Sequence, residues 1–227
     1  MDVAALLDPF ERMLDDEGAS AIEANGFLDL LVDEDSGGAA LSLLRAEPFF
    51  RAMGSRGIDA EAALAIARRA APLSRELSAV VHAMLIAGGL ERLLAMSIDY
   101  ANTRVQFGKP IGRQQALQQQ LAQLAEQAAL VRIAAQYGAA AGMEPTPDRA
   151  GIAKYTASAA VPVATAIAHA VHGAIGITQE FALHTVVVPL HAWRMAAGSE
   201  GYWAGIVGKS RMAVPDRSSV DYVRDIA

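Results

Sequence analysis

The 227-residue sequence contains no cysteine. That removes disulfides, thiolate metal ligands and a cysteine nucleophile, and it fits a reducing compartment. Charge is scarce as well: Asp, Glu, Lys and Arg make up 19% of the residues, against a hydrophobic share of 53%. An ordinary globular chain carries about 25% charged residues, so this one can bury a large core and further surface against a partner. No dense Lys/Arg cluster occurs and the formal net charge is −6, whereas a general nucleic-acid binder shows a basic stripe. Convincing strand-like alternation is missing too. The opening, MDVAALLDPFERMLDDE, is acidic where an export signal is basic, and a cytoplasmic location is expected.

One stretch lacks charge altogether. Tyr155 to Gln179 holds no Asp, Glu, Lys or Arg, which is long enough to cross a bilayer. It is rich in Ala and Thr and carries Pro162, His169 and His172. The expectation is a helix buried inside protein, with no membrane span.

What is present is helical periodicity. Leu117, Leu121, Leu124, Ala128, Val131 and Ala135 recur at spacings of four and three, the pattern of a bundle seam. Upstream, Ser78 to Arg104 reads as a long apolar helix interrupted at Gly88-Gly89, with Ile86, Leu90, Leu93, Leu94 and Ile98 as core. Gly108 and Pro110 close one helix and open the next. A third helix is expected from an Asp148 N-cap, kinked at Pro162. It ends at HGAIGIT, where Thr178 is placed to cap a fourth helix running towards Ala197. After GSEG comes a short helix, Tyr202 to Met212.

Residues 1–57 read differently, as two or three short amphipathic helices broken by EANG and DEDSGG. The expected fold is all-α: an up-down four-helix bundle over residues 58–212, a truncated N-terminal helical region over 1–57 and a polar tail over 213–227.

The informative stretch is YANTRVQFGKPIGRQQALQQQLA, followed about sixty residues later by AHAVHGAIGITQEFALH. Taken singly, its residues are ordinary: Arg104 suits a helix C-terminus, Gly108 and Pro110 suit a turn, and Phe107 would fill a core. Taken together and in this order, the two motifs resemble the C-terminal helical domain of the acyl-CoA dehydrogenases, over roughly Ala83 to Met212. The piece GFLDLLVDEDSGGAALSLLRA, Gly26 to Ala46, resembles a fragment of that family's N-terminal helical domain. Full-length members place a β-domain between the two, and this sequence has no room for it.

The resemblance implies a divided site. In family dimers this corner and glycine turn reach across to FAD held by the neighbouring subunit. Carried over, Arg104 pairs with the pyrophosphate, for which a guanidinium fork is suited. Phe107 packs on the adenine side, Gln106 supports the corner, Gln115 bonds the adenosine part, and Gly173 and Gly176 allow close backbone approach. Ala170 and Gly173-Ala174 stand where the family commonly has a glutamine and two adjacent glycines, which weakens the second half of the site. The implied cofactor is FAD. The implied partner is a full-length acyl-CoA dehydrogenase subunit, in a heterodimer or heterotetramer, which supplies most of the acyl-CoA site; a bulky steroid side-chain thioester is a candidate substrate. Electron-transfer flavoprotein is a candidate acceptor.

The family's reaction needs a carboxylate with a raised pKa in a water-poor pocket. Glu200, in the loop after the fourth helix, is the candidate base, although the ungapped position is Ala197. The family's alternative position falls near Ser78, two residues from Glu76. A solvated loop glutamate is the simpler reading of Glu200. The histidines, His82, His169, His172, His184 and His191, form no metal pattern. Two further readings stay open: a self-sufficient homo-oligomeric flavoenzyme using Glu200, and a non-catalytic helical scaffold.

Overall fold

The computed structural model describes residues 3–226, with side chains as far as Arg224. The chain is helical nearly throughout. Helices α1 (Val3–Asp16), α2 (Ala21–Ala24), α3 (Leu43–Ser55) and α4 (Ala60–Ala70) precede the bundle. The bundle consists of α5 (Arg75–Thr103), α6 (Gln115–Ala139), α7 (Pro147–His172) and α8 (Leu183–Met195). Two more helices follow, α9 (Glu200–Met212) against α7, and α10 (Ser219–Ile226). A two-residue hairpin, β1 (Val105–Gln106) paired antiparallel with β2 (Lys109–Pro110), joins α5 to α6.

α5 is the central helix, packing on α3, α6, α7 and α8. It starts at a Ser74 cap, whose hydroxyl accepts from the Leu77 amide at 3.0 Å. Gly88-Gly89 does not interrupt it, contrary to the expectation from sequence. A Cβ on Gly88 would lie 1.9 Å from the Arg51 carbonyl oxygen, and one on Gly54 of α3 would lie 2.0 Å from that of Leu85. The glycines are therefore where α3 and α5 touch backbone to backbone, and the cost of glycine in a helix is offset by that approach. The inward stripe then runs Leu90, Leu93, Ser97, Ala101. Ile98 falls one residue off it and is 42% exposed, so it is not core.

The α6 seam is as expected: Leu124, Ala128, Val131 and Ala135 are buried, while Leu117 and Leu121 are half-buried. Three details of the later helices differ from the sequence reading. Thr146, not Asp148, caps α7, accepting from the Arg149 amide with Pro147 at the first position; Asp148 instead accepts from Ser210 of α9 at 2.7 Å. Thr178 donates back to the Ile175 carbonyl at 2.8 Å, and the fourth helix begins only at Leu183. Residues 219–226 of the tail are helical, and Tyr222 packs inward.

One continuous core runs from Phe10 in α1 to Trp203 in α9, so the N-terminal helices and the bundle share it. α5 and the stretch from α7 through the turn after it are long and apolar enough to cross a membrane; 72% and 50% of their most apolar windows are buried. Both are central bundle helices, which meet the same test of length and composition.

Candidate functional site

The hairpin places the corner residues at one end of the bundle. Gln106 pairs with Lys109, leaving Phe107 (φ 51°) and Gly108 (φ 77°) as its two central residues. Positive φ at both is what a type I′ turn requires. For an aromatic residue this conformation is strained by about 1–3 kcal/mol. Phe107 is nonetheless 93% exposed, so it is not the core plug that its hydrophobicity alone suggests.

The charges around it are also unspent. Arg104 caps α5, its amide bonded to the Tyr100 carbonyl and its carbonyl to the Ile111 amide, while its side chain is exposed. Lys109 and Arg113, which the motif reading passed over, are exposed beside it. Among the described residues none of the three cations has an ion-pair partner. Gln115, the first residue of α6, and Gln106 are exposed as well.

The glycine turn reaches the same end. Tyr100 near the end of α5 lies against His172 at the end of α7, ring centroids 4.7 Å apart, and Phe181 meets both at 5.8 and 4.8 Å. This trio ties the turn to the root of the hairpin. His172 donates through Nδ1–H to the Ala168 carbonyl at 2.8 Å, while its Nε2 is buried and unpartnered among the described residues. Burial lowers its pKa. Gly173 ends α7 with φ 63° and open space where a Cβ would stand. Gly176 is buried, and a Cβ there would come within 2.9 Å of His172 and 3.1 Å of Leu183. Its lack of a side chain serves packing of the turn, whereas Gly173 faces outward.

Glu200 lies far from this corner. It is not in a loop but begins α9, after a Ser199 cap. Its carboxylate takes a fork from Arg194, with Nε at 3.1 and 3.2 Å. That guanidinium holds its pKa below the usual carboxylate range, the opposite of the shift a proton-abstracting base needs. Beside it stands Lys154, with no side chain exposure, which nothing in the motifs had singled out. Its ammonium donates to Ser158 Oγ at 2.7 Å, the Arg194 carbonyl at 2.8 Å and the Gly198 carbonyl at 3.1 Å. Three N–H donors meet three acceptors, and burial pulls the pKa down to about 7. Lys154 precedes His172 by eighteen residues on α7, or about 27 Å at the helical rise.

A family model, the acyl-CoA dehydrogenase C-terminal domain, matches residues 71–212. The chain belongs to the acyl-CoA dehydrogenase family. Members of this family bind FAD. Acyl-CoA dehydrogenase IpdE2 of Mycobacterium tuberculosis is 41% identical over 97 residues, 43% of this chain and only 30% of the relative's length. Among solved structures, the glutaryl-coenzyme A dehydrogenase glutaryl-CoA complex superposes with a TM-score of 0.58 at 27% identity, over 68% of this chain and 38% of that one. A variant of the Tcur3481-Tcur3483 steroid ACAD superposes with a TM-score of 0.80 at 13% identity, over 95% of this chain and 99% of that one. The first two matches span about a third of the relative's chain; the last spans nearly all of both.

Proposed function

We propose that this chain is a subunit of a heteromeric acyl-CoA dehydrogenase that oxidises a bulky acyl-CoA thioester, and that it completes the FAD site of a full-length partner in trans. The observation that carries this reading is the hairpin corner: a strained, exposed aromatic ring beside three cations that have no ion-pair partner among the described residues. An aromatic face and a cluster of guanidinium and ammonium groups suit an adenine ring and a pyrophosphate. Gly173, open and outward at the same end, permits backbone contact. All of these groups point away from the chain's own core, as half of a shared site would.

In this reading Arg104, with Lys109 and Arg113 near it, neutralises the pyrophosphate, Phe107 covers the adenine side, Gln106 supports the corner and Gln115 bonds the adenosine portion. Gly176 keeps the turn compact, and the Tyr100–His172–Phe181 contact fixes turn and hairpin relative to each other. FAD, when bound, supplies the electron sink for the dehydrogenation. The proton-accepting carboxylate belongs to the partner, because Glu200 is held as a paired, acid-shifted carboxylate. That arrangement disfavours a self-sufficient enzyme using Glu200.

A surface for the partner is available. Between Lys154 and Arg194 the only charged residue is Glu180, and Val163, Val188 and Met195 are exposed on α7 and α8. The steroid substrate class and the two-subunit assembly draw support from the name of the steroid ACAD structure, which pairs two proteins.

The test is the visible spectrum of this chain, purified alone and then co-purified with a full-length acyl-CoA dehydrogenase. A colourless chain and a yellow complex are expected. Arg104→Ala should weaken flavin retention by the complex about tenfold or more, the worth of hydrogen bonds to a charged group. Unchanged retention would favour the scaffold reading, and stoichiometric flavin on the chain alone would restore the self-sufficient one.

A further inference from the structure

The hairpin corner carries charge of one sign only. From Tyr100 to Ala125 the sequence has three cations, Arg104, Lys109 and Arg113, and no Asp or Glu. Among the described residues, the flanking Asp99 and Glu126, and Glu180 beyond the glycine turn, bridge to none of them. Elsewhere the chain treats its guanidinium groups differently: Arg51, Arg56, Arg69 and Arg194 each hold a carboxylate. In a chain of net charge −6, positive charge without a counter-charge is gathered at one end.

The backbone keeps the three cations together. Gln106 pairs with Lys109 across the hairpin, and the Ile111 amide donates to the Arg104 carbonyl at 2.9 Å. A protein that covers this short hydrogen-bonded segment therefore takes all three out of water at once. In solvent the cluster costs little. Covered without a counter-charge it is costly, because each ion loses its hydration and like charges repel. FAD changes that balance. Its pyrophosphate supplies negative charge to the cations, and its adenine supplies a face for Phe107, which is 93% exposed.

We propose that FAD gates assembly: this chain joins its full-length partner when the partner holds FAD, and rejects the flavin-free form. The proposal rests on the reading of the corner as half of a shared FAD site. It goes beyond that reading, since a shared site can also be covered by a partner without flavin. The coupling is reciprocal: whatever factor FAD adds to association, association adds to FAD retention. The half of the cofactor that matters is the one the corner reads, adenine and pyrophosphate, with the flavin ring left to the partner.

The test starts from the co-purified complex. Its flavin is removed with concentrated bromide, and the dissociation constant between the chains is measured by sedimentation with FAD, ADP, FMN or no addition. The flavin-free pair should associate at least tenfold more weakly than the FAD-loaded pair, the worth of one hydrogen bond between charged groups. ADP, which has the adenine and the pyrophosphate, should restore most of the loss, and FMN, which has neither, should restore none. Lys109→Ala combined with Arg113→Ala isolates the corner, because both side chains are exposed and the core is untouched. That double variant should weaken association about tenfold with FAD present, again the worth of one such bond, and leave it unchanged or tighter without.

Equal dissociation constants with and without FAD overturn the proposal, as does restoration by FMN but not by ADP. An equal loss in the double variant with and without FAD also overturns it, because the cations would then be ordinary interface charges. A second readout needs no flavin-free partner: FAD retention by the partner should be at least tenfold tighter with this chain than without it, and equal retention defeats the proposal. Failure of the shared-site reading looks different. Retention unchanged by Arg104→Ala removes that reading, whereas retention weakened by Arg104→Ala with equal association of flavin-loaded and flavin-free partner overturns gated assembly alone.

Discussion

The two ends of the bundle handle charge in opposite ways. At the α8–α9 end, Lys154 satisfies three acceptors, Arg194 and Glu200 pair, and the Trp203 indole donates to the Ala197 carbonyl at 3.1 Å. At the hairpin end, Arg104, Lys109 and Arg113 have no ion-pair partner among the described residues and Phe107 stands in solvent. Buried polar groups must be paired because desolvation is costly; exposed ones are solvated by water and can exchange it for a ligand. The first end is therefore built for the chain itself, and the second for another molecule. Substitutions at the first should change stability, and at the second should change binding.

The largest effect expected is from Lys154→Met. It removes the donor to the Arg194 and Gly198 carbonyls and to Ser158. The Ser158 hydroxyl still donates to the Arg194 carbonyl at 3.2 Å, so the loss is of one hydrogen bond at each of three acceptors, about 1 kcal/mol apiece. A total near 3 kcal/mol would lower Tm by roughly 6–12 °C in a chain of this size, read by thermal denaturation, with flavin retention by the surviving complex unchanged. The pH dependence sharpens the assignment. Lys154 binds its proton more weakly folded, at about 7, than at its ordinary 10.5. Between those values the unfolded chain holds more protons, so stability should rise with pH from about 7 towards 10 and be flat in this respect below 7. His82 is the nearby buried imidazole, its pKa lowered by burial and in part by Lys154; Glu200 and Arg194 are the other charges acting on Lys154. In Lys154→Met the alkaline gain should disappear; if it persists, another group carries it.

Much of the bundle was legible because its signal is local. The α6 seam needs only its own apolar spacing, and the hairpin corner is a contiguous motif. What sequence could not show depends on residues distant in the chain. Gly88 reads as a helix breaker until Arg51 is seen against it, and Lys154 reads as a routine surface cation until Gly198 closes over it. Asp148 has the chemistry of an N-cap, but Thr146 with Pro147 after it took the position. The corner residues were found from their order, while the exposure of Phe107 and the nearby cations emerged only from the fold.

Glu200→Gln should have a smaller effect than Lys154→Met. It weakens one fork to Arg194 that is partly open to solvent, for which about 1 kcal/mol is reasonable. Because Arg194 holds the Glu200 pKa down, its stabilisation is present at neutral pH and is lost as pH falls through that depressed value. Denaturation between pH 7 and 3 should show a shallower acid loss in the variant. Dehydrogenase turnover of the assembled complex should be unchanged. A large loss of turnover with stability intact would return Glu200 to the role of base and undo the contrast between the ends.

Phe107→Asn carries the smallest stability effect and the most informative sign. Asn tolerates positive φ, and Asn-Gly is the preferred pair for a type I′ turn, so the strain at φ 51° is relieved. The chain should gain about 0.5–1 kcal/mol, a rise in Tm of a few degrees at most. Flavin retention by the complex should move the other way, because the ring that covers the adenine side is gone. Opposite signs in one variant are what a residue kept against its own conformational preference should give. A gain in stability with flavin retention unchanged would leave the strain at Phe107 without a function, and the hairpin end would then be an exposed turn rather than half of a site.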